Sequence, residues 1–175
     1  MSRIRILPAL AALLLTFIVL FGGLQVYRTY DIIQPLKTNL SHIPQVQDVQ
    51  VNATSQTPFV TVALGPVQDL QATYAQIQSE VAASLGGSIN IILKDHPSPS
   101  LTTAFENFQP ILYQGIAQGT YVTMIHQLET SAKEQHITCY VTMNSQDIFI
   151  QLTQNKSYFY SIVPYTNRAL GGNGL

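Results

Sequence analysis

The stretch FVTVALGPVQDLQATYAQIQSEVAASLGGSINIILK, Phe59 to Lys94, changes apolar period twice, and that change decides the fold. Val60, Val62 and Leu64 alternate with their neighbours, the period of a strand with one buried face. Gly65-Pro66 then interrupts the chain and places Pro where a helix can begin. Leu70, Tyr74, Ile77, Val81 and Leu85 recur at steps of three and four, giving an amphipathic helix with one apolar face, and Gly86-Gly87 supplies its stop. From Ser88 to Lys94 the period returns to two, with Ile89, Ile91 and Leu93 on one side. The segment therefore reads as strand, helix, strand.

Upstream, Val49 and Val51 predict a further short strand after Pro44, followed by a polar turn from Asn52 to Pro58. Downstream, His96-Pro97-Ser98-Pro99-Ser100 is a connection that divides the rest into halves 45–95 and 100–166. Ser100 is placed to cap a helix carrying Leu101, Phe105, Phe108, Leu112 and Ile116, with a kink expected at Pro110. The helix breaks or continues near Gly119 into Tyr121, Ile125, Leu128 and Ala132. Three alternating runs, Ile137 to Met143, Ile148 to Thr153 and Tyr158 to Val163, are joined by short polar links and predict an antiparallel meander. The expected fold class is α+β: one two-layer domain of about six strands at 45–166, ordered β-β-α-β, then helical segments and the three-stranded meander. A loose glycine-rich tail is expected at 167–175.

Before this domain, Ile6 to Val26 runs through 21 positions without a charge, long enough as a helix to span a bilayer core of about 30 Å. The head at 1–5 carries Arg3 and Arg5, which the positive-inside bias keeps in the cytoplasm. The span lacks a small-x-small cleavage site, and Leu20-Phe21-Gly22 puts a bulky residue where a small one is wanted, so it reads as a retained signal anchor at 6–26. Tyr27, Arg28 and Tyr30 suit the headgroup layer, and a stalk follows at 27–44, broken or kinked at Pro35. The chain is thus expected to be single-pass, with its C-terminal domain extracytoplasmic and the lipid bilayer as its first partner. From Leu36 to Lys94 the order of a stalk helix followed by β-β-α-β is similar to that of the ring-building modules of envelope secretion and sporulation complexes. The likeness is one of element order and carries no residue or partner across.

Composition narrows function by exclusion. Beyond Val26 six Lys and Arg face nine Asp and Glu with no basic run, which argues against a nucleic-acid partner. Charged residues make up only 10% of the chain, against roughly 25% in ordinary domains. Polar surface is built from amides instead, with 18 Gln against four Glu. Such a surface has little to protonate, which fits either composition drift or an acidic medium. The single cysteine, Cys139, forms no internal disulfide and lies mid-strand with Ile137 and Val141 on its side, where a core thiol is expected.

Three groups of residues carry candidate chemistry. Lys94, Asp95 and His96 place a cation, a carboxylate and an imidazole at a strand end, a corner suited to acid-base catalysis or to an ordinary polar linker. His126 and Glu129 lie three apart on a predicted helix, with His136 or Glu134 to complete a metal set, although the two-histidine zinc protease signature is missing. Tyr158, Phe159 and Tyr160 occupy the last strand of the meander, an edge able to accept a partner strand from another copy or another envelope protein. No cofactor is expected. The leading expectation is a membrane-anchored, non-catalytic interaction or assembly module of the cell envelope; the alternatives are a membrane-tethered hydrolase using the corner or the His126 set, and an extracytoplasmic ligand-binding domain.

Overall fold

The computed structural model describes residues 13–17, 19–20, 33–52, 58–86 and 89–165. Residues 13–17 and 19–20 are helical, with Leu13, Leu14, Leu15, Phe17, Val19 and Leu20 exposed. The rest of the 6–26 span, the head at 1–5, the first part of the stalk and the tail at 167–175 lie outside the described residues. Among the described residues no helix is long and apolar enough to cross a membrane.

The fold is α+β and contains two three-stranded sheets. The first half holds α1 (Gln34–Ser41), β1 (Val46–Asn52), β2 (Phe59–Leu64), α2 (Leu70–Leu85) and β3 (Asn90–Lys94). The second holds α3 (Pro99–Gln118), α4 (Tyr121–Glu134), β4 (Thr138–Met143), β5 (Asp147–Gln154) and β6 (Ser157–Pro164). β1 runs antiparallel to β2, and β2 parallel to β3, so α2 is the crossover that a parallel pair requires. The second sheet is an antiparallel meander in the order β4-β5-β6.

Local chemistry sets the element ends. Gly65-Pro66 does not start α2; the chain runs irregularly, with a bend at Gln68, to Asp69, whose carboxylate accepts the Ala72 amide at 3.0 Å and so caps the helix at Leu70. Ser98, not Ser100, caps α3 by accepting the Leu101 amide at 3.3 Å, and Pro99 takes the first helical position where no amide is needed. Pro35 likewise sits in the first turn of α1 and opens that helix where a break or kink was expected. Leu36 and Leu40 on α1 are fully buried, so this part of the segment read as stalk packs into the first core.

Helix α3 runs through Pro110 from Pro99 to Gln118. Pro110 and Glu106, the residue whose carbonyl loses its partner, are both exposed, and water can satisfy that carbonyl. Gly119 ends the helix at φ 66°, a left-handed cap that a side chain would strain. Gly115 serves a different need. A Cβ there would lie 2.5 Å from Met124 Cβ, so α3 and α4 cross where only hydrogen fits.

Two cores result. The first gathers Leu36, Leu40, Val49, Val60, Val62, Leu64, Ile77 and Val81 between α1, α2 and the first sheet. The second gathers Leu101, Phe108, Leu112, Met124 and Leu128 of α3 and α4 over Val141, Ile148, Ile150 and Leu152 of the meander. β5 serves both. Its even-numbered residues face α3 and α4, whereas Phe149 points the other way into the first core and meets Tyr74 of α2 at 5.8 Å between ring centroids. Tyr158 and Tyr160 of β6 join Phe149 there, each only 8% exposed.

Candidate functional site

The polar residues that sequence places together at 94–96 sit where the two sheets meet. Lys94 ends β3 and is exposed. His96 forms an isolated antiparallel bridge with Tyr158, its carbonyl accepting the Tyr158 amide at 3.2 Å. The Asp95 carboxylate accepts the Tyr160 amide at 2.7 Å. A backbone donor two residues along the strand is thus satisfied by a side chain, and β3 and β6 are tied at this one corner.

Tyr160 completes the tie from the other end of its side chain. Its hydroxyl donates to the Gly65 carbonyl at 2.8 Å and accepts the Val67 amide at 2.9 Å, both in the interior. Gln151, beside Tyr160 on β5, donates its amide to the Val67 carbonyl at 2.7 Å. The segment from Gly65 to Val67 is therefore held by two side chains of the meander. Burial raises the Tyr160 pKa; the Val67 amide opposes that shift, and the nearby Tyr158 and Asp95 add to it.

This arrangement bears on Tyr158, Phe159 and Tyr160 as a partner-binding edge. The amides of Tyr158 and Tyr160 are taken by His96 and Asp95, and both rings lie in the first core. Phe159 faces the second core and packs on Phe105 at 4.6 Å between centroids. The signal for this was present only in the alternation, which puts Phe159 on the opposite face from its neighbours.

His126, Glu129 and His136 are exposed and do not come together. His126 lines a shallow groove of about 490 Å³ between α3 and α4 with Ile111, Gln114, Gln127, Thr130 and Ser131. Glu129 instead lies close enough to Cys139 of β4 to raise the pKa of its thiol. His136 is in the turn after α4 at φ 55°. Among the described residues no group of three or more His, Cys, Asp or Glu side chains is placed to hold a metal ion.

Cys139 packs at the margin of the second core. Burial, with a smaller contribution from Glu129, pushes its pKa from the ordinary 9.0 to about 12. The thiol stays protonated at neutral pH, so the native protein is expected to react with a thiol reagent far more slowly than the same chain in denaturant. The sign of the alkaline effect follows from linkage. With its folded pKa raised, Cys139 contributes stability that is full below about 9 and is lost as pH climbs toward 12; Tyr160, also raised, acts in the same direction. Thermal melts above pH 9 should fall more steeply for wild type than for Cys139→Ala, and equal slopes would refute this.

The outer edges of the two sheets differ. β1 carries a bulge between Val46 and Asp48, which interrupts its edge, and Asp48 itself is charged and exposed. β4 pairs with β5 alone among the described residues, has no bulge in its register and contains no charged residue from Thr138 to Met143. Tyr140 on this strand is 47% exposed. Comparison with family models, curated proteins and solved structures finds no significant match to this chain.

Proposed function

We propose that this chain is a single-pass, membrane-anchored extracytoplasmic protein whose domain is a non-catalytic interaction or assembly module of the cell envelope. In this reading residues 6–26 are the anchor, the head stays cytoplasmic, and the two sheets and their helices act as a single two-layer unit of six strands displayed outside. The observation that carries it is the use made of Asp95 and His96. The Asp95 carboxylate and the His96 carbonyl are engaged in tying β3 to β6, and burial raises the pKa of the one thiol. The low charge and the charge-free span at Ile6 to Val26 support the same reading.

Topology and association are both measurable. Protease added to intact spheroplasts carrying a C-terminally tagged full chain is expected to remove the tag and digest the region after Tyr27. Protection of the whole chain would invert the topology. Amine-reactive crosslinking in the same membranes should give discrete higher-mass adducts, and their complete absence would remove the assembly reading.

A further inference from the structure

Hydrogen bonding within the meander fixes which backbone groups of β4 point away from it. The Asn144 amide donates to the Asp147 carbonyl at 3.0 Å, which makes residues 144 and 147 a hydrogen-bonded pair. The β4–β5 register then puts the other hydrogen-bonded pairs at Thr142 with Phe149, Tyr140 with Gln151 and Thr138 with Thr153. The amides and carbonyls of Cys139, Val141 and Met143 therefore point outward. The same alternation carried through β5 predicts outward amides at Tyr158 and Tyr160 on β6, where they are found on His96 and Asp95. One edge of the meander is closed by the chain itself; the other, among the described residues, is open.

We infer that this open edge is an interface for a second copy of the chain, with two β4 strands pairing antiparallel about a two-fold axis at Val141. The inference deepens the assembly reading and rests on it. What selects a second copy is the complementarity of the edge. No charge lies between Thr138 and Met143, so nothing on the strand recruits an oppositely charged partner or repels an identical one. The carboxylates beside the strand lie off it: Glu129 on α4 near Cys139, and Asp147, which is 9% exposed and starts β5 across the turn from Asn144. The outward groups are symmetric about Val141: Val141 meets its own copy, and Cys139 meets Met143, so each amide finds a carbonyl. Centring on Tyr140 would leave Met143 facing Ile137, which is outside the strand.

The side chains agree with that register. Tyr140 lies opposite Thr142 of the second copy, an aromatic against a β-branched residue, a favourable cross-strand pair. The pairing covers the exposed ring of Tyr140 on the face that α3 and α4 leave open. Two anchors in one membrane are compatible with it, since copies in a shared bilayer are related by a two-fold axis along the membrane normal.

The test uses the full chain in its membrane, in a Cys139→Ala background. Opposite residues in a non-hydrogen-bonded pair have Cα atoms about 4.5 Å apart, within disulfide range. Tyr140→Cys combined with Thr142→Cys is therefore expected, on mild oxidation, to give roughly fivefold or more covalent dimer over either single cysteine and over Tyr113→Cys, an exposed collision control on α3. A double variant that crosslinks no more than Tyr113→Cys overturns the interface. Dimer from Tyr140→Cys alone at the level of the double overturns the Val141 register. Val141→Pro removes an outward amide without touching the β4–β5 ladder and should lower the crosslink yield about tenfold. The disulfide comparison leaves that amide in place, so the inference stays exposed to refutation even where the proline variant unfolds. If amine-reactive adducts form with other proteins while the cysteine pair gives no dimer, self-pairing fails and the assembly reading stands; if neither forms, both fail.

Discussion

Phe149→Ala is expected to lower the stability of the full chain by about 3–5 kcal/mol, the range for truncating a buried aromatic residue. Phe149 is 2% exposed and belongs to the first core although its strand belongs to the second sheet. Its removal leaves a cavity against Tyr74, at the contact that presses α2 onto β5. The collapse that would relieve such a cavity is resisted because Tyr160 and Gln151 hold the Gly65 to Val67 segment in place. Denaturant unfolding followed by tyrosine fluorescence and circular dichroism should show the loss. The two probes should also separate in the variant, since the halves then share fewer contacts. A change below about 1 kcal/mol would mean that the two cores are not coupled through this ring.

Gly115→Ala is expected to cost about 2–3 kcal/mol, near the upper end for overpacking, and to lower the melting temperature by roughly 5–10 °C. The added Cβ would lie 2.5 Å from Met124 Cβ and 2.6 Å from Met124 Cγ. A rotamer change at Met124 moves its Cγ but not its Cβ, so relief requires α3 and α4 to separate. Separation opens the second core around Leu112 and Leu128. Gly119→Ala is the useful contrast. Nothing lies within 4 Å of its added Cβ, so its cost is that of a left-handed backbone alone, roughly 1–2 kcal/mol. A Gly115→Ala loss no larger than that of Gly119→Ala would show that the helices yield easily.

These two positions locate the mechanical joints of the domain. Phe149, Tyr160 and Asp95 hold the meander against the first half, and Gly115 lets the helical hairpin sit close over it. The proposed pairing of β4 depends on these ties, because a strand can be offered in one register only if its sheet is held in place. β4 is held by β5 on one side and covered on one face by α4, and among the described residues its other backbone edge has no partner strand.

Much of this was legible from periodicity. The strand Phe59–Leu64, the helix Leu70–Leu85 and the order of the three strands of the meander follow from alternation and from steps of three and four, because each element buries one face and its side chains repeat with that geometry. Exact helix starts were less legible. Asp69 competes with Pro66, and Ser98 with Ser100; which side chain turns back to an amide depends on the path of the chain before it. Gly115 and Gly119, four residues apart, look alike in sequence, yet one makes room for Met124 and the other ends a helix.

By itself the sequence determined the α+β class, the apolar span at 6–26, the low charge and the solitary thiol, since these depend only on residue type and local spacing. Tertiary structure alone decided what the polar residues do. Asp95 and His96 became a tie because the meander folds back to put Tyr158 and Tyr160 beside them, more than sixty residues away in the chain. The same return engaged the edge of β6 at Tyr158 and Tyr160 and, among the described residues, left the edge of β4 without a partner strand. No local pattern encodes that choice, because which end of a sheet is covered depends on where the rest of the chain packs.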